Sequence, residues 1–184
     1  MDIAQQKRKE NIAEYILYLW QLEDLLRALQ FSPEAIYSTL VQPRKLDMQQ
    51  EQILLAWYMD IANLLTQEGK EKSGHLDHTM HLIHDLHDLH LRLMNQQEID
   101  VMYRQRYVVL TQYLPTLRTR LGKESEMSDT ELCFRALYAA MLYRIKGEGE
   151  SAVADTLEVI SPFIATLTDY FHKVEKGEID LFKE

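Results

Sequence analysis

The chain has 184 residues, of which 46% are hydrophobic and 27% charged, a composition that is typical of a globular domain and excludes global disorder. Its 29 acidic and 20 basic residues give a net charge of −9, which opposes binding to nucleic acid. Only six Gly and four Pro are present, too few for the many turns of an all-β fold. We therefore expect one all-α domain over residues 1–184.

The start of the chain, MDIAQQKRKENIAEY, is charged and amphipathic and lacks the apolar core of a signal peptide. Its basic run KRKE, at 7–10, is expected at a solvated helix start. The longest apolar segments, IAEYILYLW and ILLAWYMDIANLL, are interrupted by charged or amide side chains and are too short to span a membrane. These features predict a cytoplasmic protein. The lone Cys133 lies in an apolar segment and is expected to be a buried thiol.

Hydrophobic periodicity predicts six or seven helices and no strand. The first helix is predicted from Ile3 to Gln30. Ser32 is a good helix cap and Pro33 suits the first helical position, so a short second helix is predicted there. Pro43 is expected to end it.

The third helix is predicted over Asp47–Glu71 and a histidine-rich fourth helix over His75–Met94. A fifth is predicted over Glu98–Leu121, and Pro115 should kink it because proline cannot donate a helical hydrogen bond.

The sequence SDTE at 128–131 predicts a capping box, in which Ser128 and Glu131 each accept a hydrogen bond from the other's backbone N–H. This box opens a sixth helix that is predicted to end near Gly147. The helix is apolar on nearly every side, so the segment near 131–146 is expected at the centre of the bundle. The following GEGES predicts a turn, and a last helix with one apolar stripe is predicted from Ala152 to about Lys176.

Four segments resemble an uncharacterised family of bacterial proteins, a domain-of-unknown-function family of short all-helical chains. They are IAQQKRKENIAEYILYLWQLEDLLRA, GHLDHT, ELCFRALYAAMLYRIKGEGES and FIATLTDYFHKVEKGEI. The resemblance covers essentially the whole chain and is most specific in the first segment. It implies an all-α fold and a bacterial intracellular setting, and it supplies no activity and no catalytic residue.

Six of the seven histidines recur at every third position of GHLDHTMHLIHDLHDLHLRL, residues 74–93. They are His75, His78, His81, His84, His87 and His90. Since a helix turns about 100° per residue, a step of three carries them around the helix and not along one face. The apolar residues then predict that His78 and His81 face solvent, His84 lies at the border, and His87 and His90 face the core.

The inward pair His87 and His90 admits two interpretations. The first is that both are core histidines hydrogen-bonded to other helices. The second is a metal site, which needs a third protein ligand from elsewhere in the chain. His172 and Cys133 are the remaining nitrogen or sulfur donors, and no bound cofactor is expected.

A second candidate site lies in the first helix, where Trp20, Glu23 and Arg27 fall on the apolar arc of the helical wheel. We predict that Glu23 and Arg27 are mostly buried and lie within salt-bridge distance. One interpretation is a structural ion pair. The other is a small polar ligand pocket, with His90 or Arg135 opposite these three residues.

The sequence favours a non-enzymatic binding or protein-interaction module. Its partner is expected to be an unidentified protein or small ligand, a second copy of the chain included, and neither nucleic acid nor a membrane. The alternative is a metal-dependent or nucleotide-handling all-α enzyme that uses an interhelical polar pocket. Its signal is a pair of acidic motifs, Glu68-x-x-Glu71 and Asp85-x-x-Asp88, whose spacing loosely matches magnesium-binding carboxylates.

Overall fold

The computed structural model describes residues 3–96, 100–121, 127–145 and 153–179, and within these ranges the chain is helical without any strand. The α-helices described are α1 (Ile3–Glu10), α2 (Ile12–Ala28), α3 (Pro33–Ile36), α4 (Met48–Gln67), α5 (Asp77–Asn95), α6 (Val101–Thr111), α7 (Leu114–Leu121), α8 (Asp129–Ile145) and α9 (Val153–Glu175). A π-helical segment (Tyr37–Val41) and a 3-10 turn (Gln42–Arg44) follow α3. The all-α prediction is confirmed, and the predicted number of six or seven helices is too low for these ranges.

The first predicted helix is divided at Asn11 into α1 and α2. The Asn11 side-chain oxygen accepts a hydrogen bond from the Ala13 backbone N–H at 3.0 Å, which caps the start of α2. The Ile12 N–H donates to His172 Nε2 at 3.3 Å. Both donors belong to the first turn of α2, where backbone N–H groups have no partner within the helix. These two bonds stabilise a helix start that the continuous periodicity of the sequence conceals.

The fifth predicted helix is divided into α6 and α7 ahead of Pro115. The proline ring would clash with the carbonyl group four residues earlier, which is that of Thr111, and α6 ends at Thr111. The proline therefore ends one helix, where the sequence predicted only a kink. The predicted start at Glu98 lies outside the described residues, and the Asp100 side chain caps α6 by accepting from the Met102 N–H at 2.9 Å.

The predicted start of the short second helix is confirmed, because the Ser32 hydroxyl accepts from the Ala35 N–H and Pro33 is the first residue of α3. The third helix begins as predicted, with Asp47 as its cap, and it ends four residues early. Gly69, at a φ of 67°, takes the left-handed conformation that closes a helix.

The capping box before α8 is half formed. The Ser128 hydroxyl accepts from the Glu131 N–H at 3.1 Å, but the Glu131 carboxylate bonds to Arg135 Nε at 2.8 Å instead of reaching back to the cap. All five residues at 130–134 are buried, so α8 is buried on more than one side, as its apolar sequence indicates. The predicted GEGES turn, at 147–151, lies outside the described residues.

The contacts divide the chain into two compact units. Unit 1 comprises Met1–Glu10 and Glu14–Met80, and unit 2 comprises Asn11–Ala13 and His81–Glu184. The core of unit 1 includes Leu22, Leu26, Ile36, Tyr58 and Leu65. Buried side chains of unit 2 include Ile83, Leu86, Tyr103, Phe134 and Phe163. In unit 2, α9 packs against α6 and α8, and α8 packs against α7. The expectation of a single domain stays a prediction.

None of the helices in the described part of the chain has both the length and the apolar content that crossing a bilayer requires.

Replacing Asn11 by Ala should lower the free energy of unfolding by about 1 kcal/mol, because the Ala13 N–H loses its acceptor. Asp at the same position keeps a side-chain oxygen and should retain most of this stability. Urea denaturation followed by far-UV circular dichroism measures both variants. Equal stability of Asn11→Ala and Asn11→Asp would contradict the capping role.

Candidate functional site

One face of α4 lines two adjoining clefts in unit 1, with volumes of about 420 Å³ and 500 Å³. The α4 residues along this face include Gln50, Ile53, Leu54, Trp57, Ile61 and Leu64. Trp57 and the α1 residue Gln5 line both clefts, so the two meet at these side chains. At a rise of about 1.5 Å per residue, Gln50 and Leu64 are separated by about 21 Å along the helix axis. We call the combined feature the α4 groove.

The α4 groove is largely apolar, and part of its apolar lining is accessible to solvent. Ile53 is 63% exposed and Leu64 is 44% exposed. Leu19 and Leu76, which are buried, complete the wall of the larger cleft. Concave sites lined by apolar and aromatic side chains with a few polar groups are the usual sites of small-molecule binding. The groove therefore has the surface of a ligand site.

Polar side chains line both clefts, with Arg44 and Gln50 in the smaller one. Arg8 and Lys9 of α1 line the larger cleft, and Asp60 is the acidic side chain among the described residues of this lining. On the same lining, the Tyr15 hydroxyl and His78 Nε2 are hydrogen-bonded at 3.1 Å. The basic run was predicted at a helix start, but it lies in the last turn of α1. Cations are favoured there, because the C-terminal end of a helix carries partial negative charge.

The Glu23 carboxylate is fully buried in unit 1 and bonds to the segment that precedes α5. Its Oε1 accepts from the Leu76 backbone N–H at 3.1 Å, and its Oε2 lies 2.8 Å from His75 Nδ1. Arg27 lies 3.9 Å from the same carboxylate, with a side chain that is 12% exposed. The predicted burial and proximity of Glu23 and Arg27 are confirmed.

The Trp20 indole is stacked on the His75 imidazole, with ring centroids 3.7 Å apart and planes 9° from parallel. Its Nε1–H donates to the Thr79 hydroxyl at 3.0 Å, and this hydroxyl donates to the Leu76 carbonyl at 2.9 Å. Trp20 and Glu23, both on α2, thus hold His75 and the start of α5 in place. No sequence pattern predicted these roles of His75 and Thr79, because both depend on contacts between separate segments.

Arg27 binds the loop between α4 and α5. Its Nε–H donates to the Lys70 carbonyl at 3.1 Å, and another guanidinium N–H donates to the Gly74 carbonyl. A third bond, at 2.8 Å, joins the guanidinium to Asp24. Gly74 has a φ of 91°, a conformation that favours glycine. Arg27 therefore holds a turn that other residues would adopt only with strain.

The acidic motif Glu68-x-x-Glu71 is part of the same loop. The Glu68 carboxylate accepts from the Asp77 backbone N–H at 2.9 Å and from Lys70 Nζ at 3.0 Å. Lys70 also bonds to the Asp77 side chain. Asp85 and Asp88 of the second motif belong to unit 2 and are exposed. Glu68 therefore has a capping role at the start of α5.

His90 and Arg135 belong to unit 2, where each has its own partners. His90 Nδ1 is hydrogen-bonded to the Tyr103 hydroxyl at 2.8 Å, and the rings of Tyr107 and Phe163 pack around it. Arg135 pairs with Glu131 at 2.8 Å. The Trp20, Glu23 and Arg27 contacts described above lie entirely within unit 1. The five-residue polar pocket stays a prediction.

Burial and, as a smaller cause, the neighbouring His87 lower the pKa of His90 to about 4. The imidazole is therefore neutral at ordinary pH. Burial also raises the pKa of the Tyr103 hydroxyl, and burial together with a hydrogen bond to Asp129 raises that of Tyr107. This cluster of uncharged rings is a core, in agreement with the first interpretation of His90.

His87 is half-buried, and its Nδ1 is hydrogen-bonded to the Thr130 hydroxyl of α8 at 3.2 Å. The metal hypothesis for His87 and His90 needs a third ligand. Across the described ranges, no group of three or more His, Cys, Asp or Glu side chains is placed to hold a metal ion. Cys133 is buried, as expected, and burial raises its thiol pKa far above the ordinary value.

The exposure of the remaining helix histidines follows the helical wheel. His78, His81 and His84 are exposed, whereas His87 is half-buried and His90 is buried. The predicted positions are confirmed for His78, His81 and His90, whereas His84, predicted at the border, is exposed and His87, predicted to face the core, is only half-buried.

Replacing Arg27 by Met should lower the free energy of unfolding by about 2 kcal/mol, because the aliphatic stem remains while the Lys70 and Gly74 carbonyls lose their donor. This loss is smaller than that expected for a Glu23 left without partners, because Glu23 keeps its bonds to His75 and Leu76. Lys7→Met, which removes the more exposed ion pair with Glu14, is the matched control and should cost less than about 0.5 kcal/mol. Equal urea-unfolding curves for the two variants would show that Arg27 does not hold the loop.

The free energy of unfolding should fall by roughly 2 kcal/mol between about pH 7 and pH 5 through His90 alone. The unfolded chain binds a proton at this histidine near its ordinary pKa of 6.5, whereas the folded chain does so only near 4. Acidification therefore favours the unfolded state. His90→Gln should flatten the profile by this amount, and the exposed His84→Gln should leave it unchanged. A wild-type slope retained in His90→Gln would contradict this assignment.

A search of curated proteins and a search of solved structures each found no match to the chain. The profile of one family, described as "Domain of unknown function (DUF4924)", matches residues 1–178. This match covers nearly the whole sequence and agrees with the resemblance inferred from its segments. The chain belongs to the DUF4924 family.

Proposed function

We propose that the protein is a non-enzymatic binding module, which holds a small apolar or amphipathic molecule in the α4 groove. The observation that supports this proposal is the continuous pair of clefts along α4, with volumes of about 420 Å³ and 500 Å³. Both volumes fall in the range of ligand pockets. The exposed apolar side chains of Ile53 and Leu64 would lose contact with water when a ligand binds, which favours binding.

The hydrogen bonds of the buried polar groups in unit 1 support a structural role for Glu23 and Arg27. Each Glu23 oxygen has a hydrogen-bond partner, and Arg27 donates to two carbonyls of the loop before α5. Satisfied buried networks of this kind fix a conformation. We therefore place the ligand in the groove and not against Glu23.

The enzyme alternative draws less support from the described residues. Glu68 caps α5, and no described group of three metal-ligating side chains converges in the ranges covered by the structure. The described lining of the α4 groove, by contrast, is mainly apolar, which suits binding. We accordingly propose recognition without chemical conversion.

Titration with the neutral apolar dye N-phenyl-1-naphthylamine tests this proposal. Because the dye fluoresces more strongly in apolar surroundings, the protein should give a saturable increase with about one site per chain. Leu64→Glu places a carboxylate on the groove wall and should weaken dye binding by about tenfold, or about 1.4 kcal/mol. Binding unaffected by this variant would place the dye outside the groove.

Leu91→Glu is the matched control, because Leu91 is 48% exposed, close to the 44% of Leu64, and does not line either cleft. It makes the same change of charge at a similar exposure. Dye affinity in Leu91→Glu should equal that of the wild type. Equal weakening in both variants would contradict a specific site along α4.

A further inference from the structure

The two clefts of the α4 groove meet at two side chains of different chemistry. Gln5 of α1 and Trp57 of α4 line both clefts, whereas each of the other described lining residues belongs to one cleft. Gln5 is exposed and Trp57 is half-buried. The amide group of Gln5 both donates and accepts hydrogen bonds, and the indole ring of Trp57 offers a broad apolar face. This junction therefore combines an apolar surface with a neutral hydrogen-bonding group.

Apolar side chains of α4 lie on both sides of the junction. Ile53 precedes Trp57 in the smaller cleft, and Ile61 and Leu64 follow it in the larger cleft. At a rise of about 1.5 Å per residue, Ile53 and Leu64 lie about 6 Å and about 10 Å from Trp57 along the helix axis. A ligand that extends this far in both directions contacts both apolar walls, and its middle lies at the junction.

Charged side chains line both clefts, so charge does not distinguish one end of the groove from the other. Arg44 belongs to the lining of the smaller cleft and donates to the Tyr58 hydroxyl at 3.0 Å. Arg8, Lys9 and Asp60 belong to the described lining of the larger cleft. A charged head group would find a cationic side chain in either cleft. The uncharged junction is the position that differs from both ends.

From this arrangement we propose that the groove binds a neutral elongated amide, in which a central amide group joins two hydrocarbon segments. The amide lies beside Gln5, and one segment lies in each cleft. This inference rests on the function proposed above and specifies its ligand class. Because a secondary amide carries one N–H donor and one carbonyl acceptor, it complements the acceptor and the donors of the Gln5 side chain. A terminal amide on an equally long chain reaches Gln5 only if the chain leaves one cleft empty.

The test is displacement of N-phenyl-1-naphthylamine by two isomers, N-pentylpentanamide with a central amide and decanamide with a terminal one. Both are uncharged and have the same composition. N-pentylpentanamide should displace the dye at about fivefold lower concentration, because it bonds to Gln5 while it fills both clefts. Equal displacement by the two isomers would overturn the central-amide proposal while dye binding still supports the groove. Absence of dye binding to the wild type would instead overturn the proposed function itself.

Gln5→Met and Gln6→Met form a matched pair of variants on α1, since methionine keeps the length of the side chain and lacks the amide. Gln6 is exposed, donates to Glu10 at 2.9 Å and is not among the described lining residues of either cleft. Gln5→Met should reduce the preference for the central isomer to less than about twofold and leave dye affinity close to that of the wild type. Gln6→Met should keep the preference. Equal preferences in the two variants would overturn the contact with Gln5.

Tryptophan emission gives a second measurement of where the amide binds. The chain has two tryptophans, of which Trp20 is fully buried and stacked on His75, whereas Trp57 lies at the junction. Saturating N-pentylpentanamide should change the emission of the wild type because it replaces water beside the Trp57 indole. Trp57→Phe should abolish this change, since Trp20 remains in its buried position. An emission change retained in Trp57→Phe would place the amide outside the junction and overturn the proposal.

Discussion

The buried carboxylate of Glu23 is the constraint on which unit 1 depends. A charged group without solvent contact is tolerated only where partners satisfy it, since an unpaired buried charge costs several kcal/mol. Here the partners are the Leu76 N–H and His75, with Arg27 close by. Because the first two belong to the segment between α4 and α5, the fold cannot satisfy Glu23 unless this segment closes over α2. Trp20 reinforces the closure by stacking on His75.

This constraint also shapes the α4 groove. Leu76, whose backbone N–H is held by Glu23, contributes its side chain to the larger cleft, and His78 follows two residues later on the same lining. The segment that binds Glu23 therefore also forms part of the groove wall. A substitution that released the segment would move the groove wall, although the substituted residue would be distant from a bound ligand. Effects of Glu23 or Arg27 variants on binding are for this reason expected to be indirect, whereas that of Leu64→Glu is local.

The sequence predicted which side chains are buried better than it predicted the residues that they contact. A helical wheel was sufficient to place Glu23, Arg27 and His90 inside, because burial depends on the position of a residue within its own helix. It could not identify Tyr103 as the partner of His90, since this contact joins separate helices. The break at Asn11 was missed because the apolar periodicity runs through it. The groove itself had no sequence signal, because α1, α2, α4 and the start of α5 all contribute to it.

The spacing of the histidines explains why their surroundings differ. Each step of three residues turns the side chain about 60° short of a full circle, so successive histidines face different surroundings. His78 contacts Tyr15, His87 contacts Thr130, and His90 contacts Tyr103, while His81 and His84 are exposed. His75 precedes the helix and binds Glu23. A metal site built from the repeat alone needs several imidazoles that converge on one point, and a three-residue repeat on one helix disperses them. The surroundings of each histidine in the repeat therefore depend on its own position around the helix and not on the repeat as a unit.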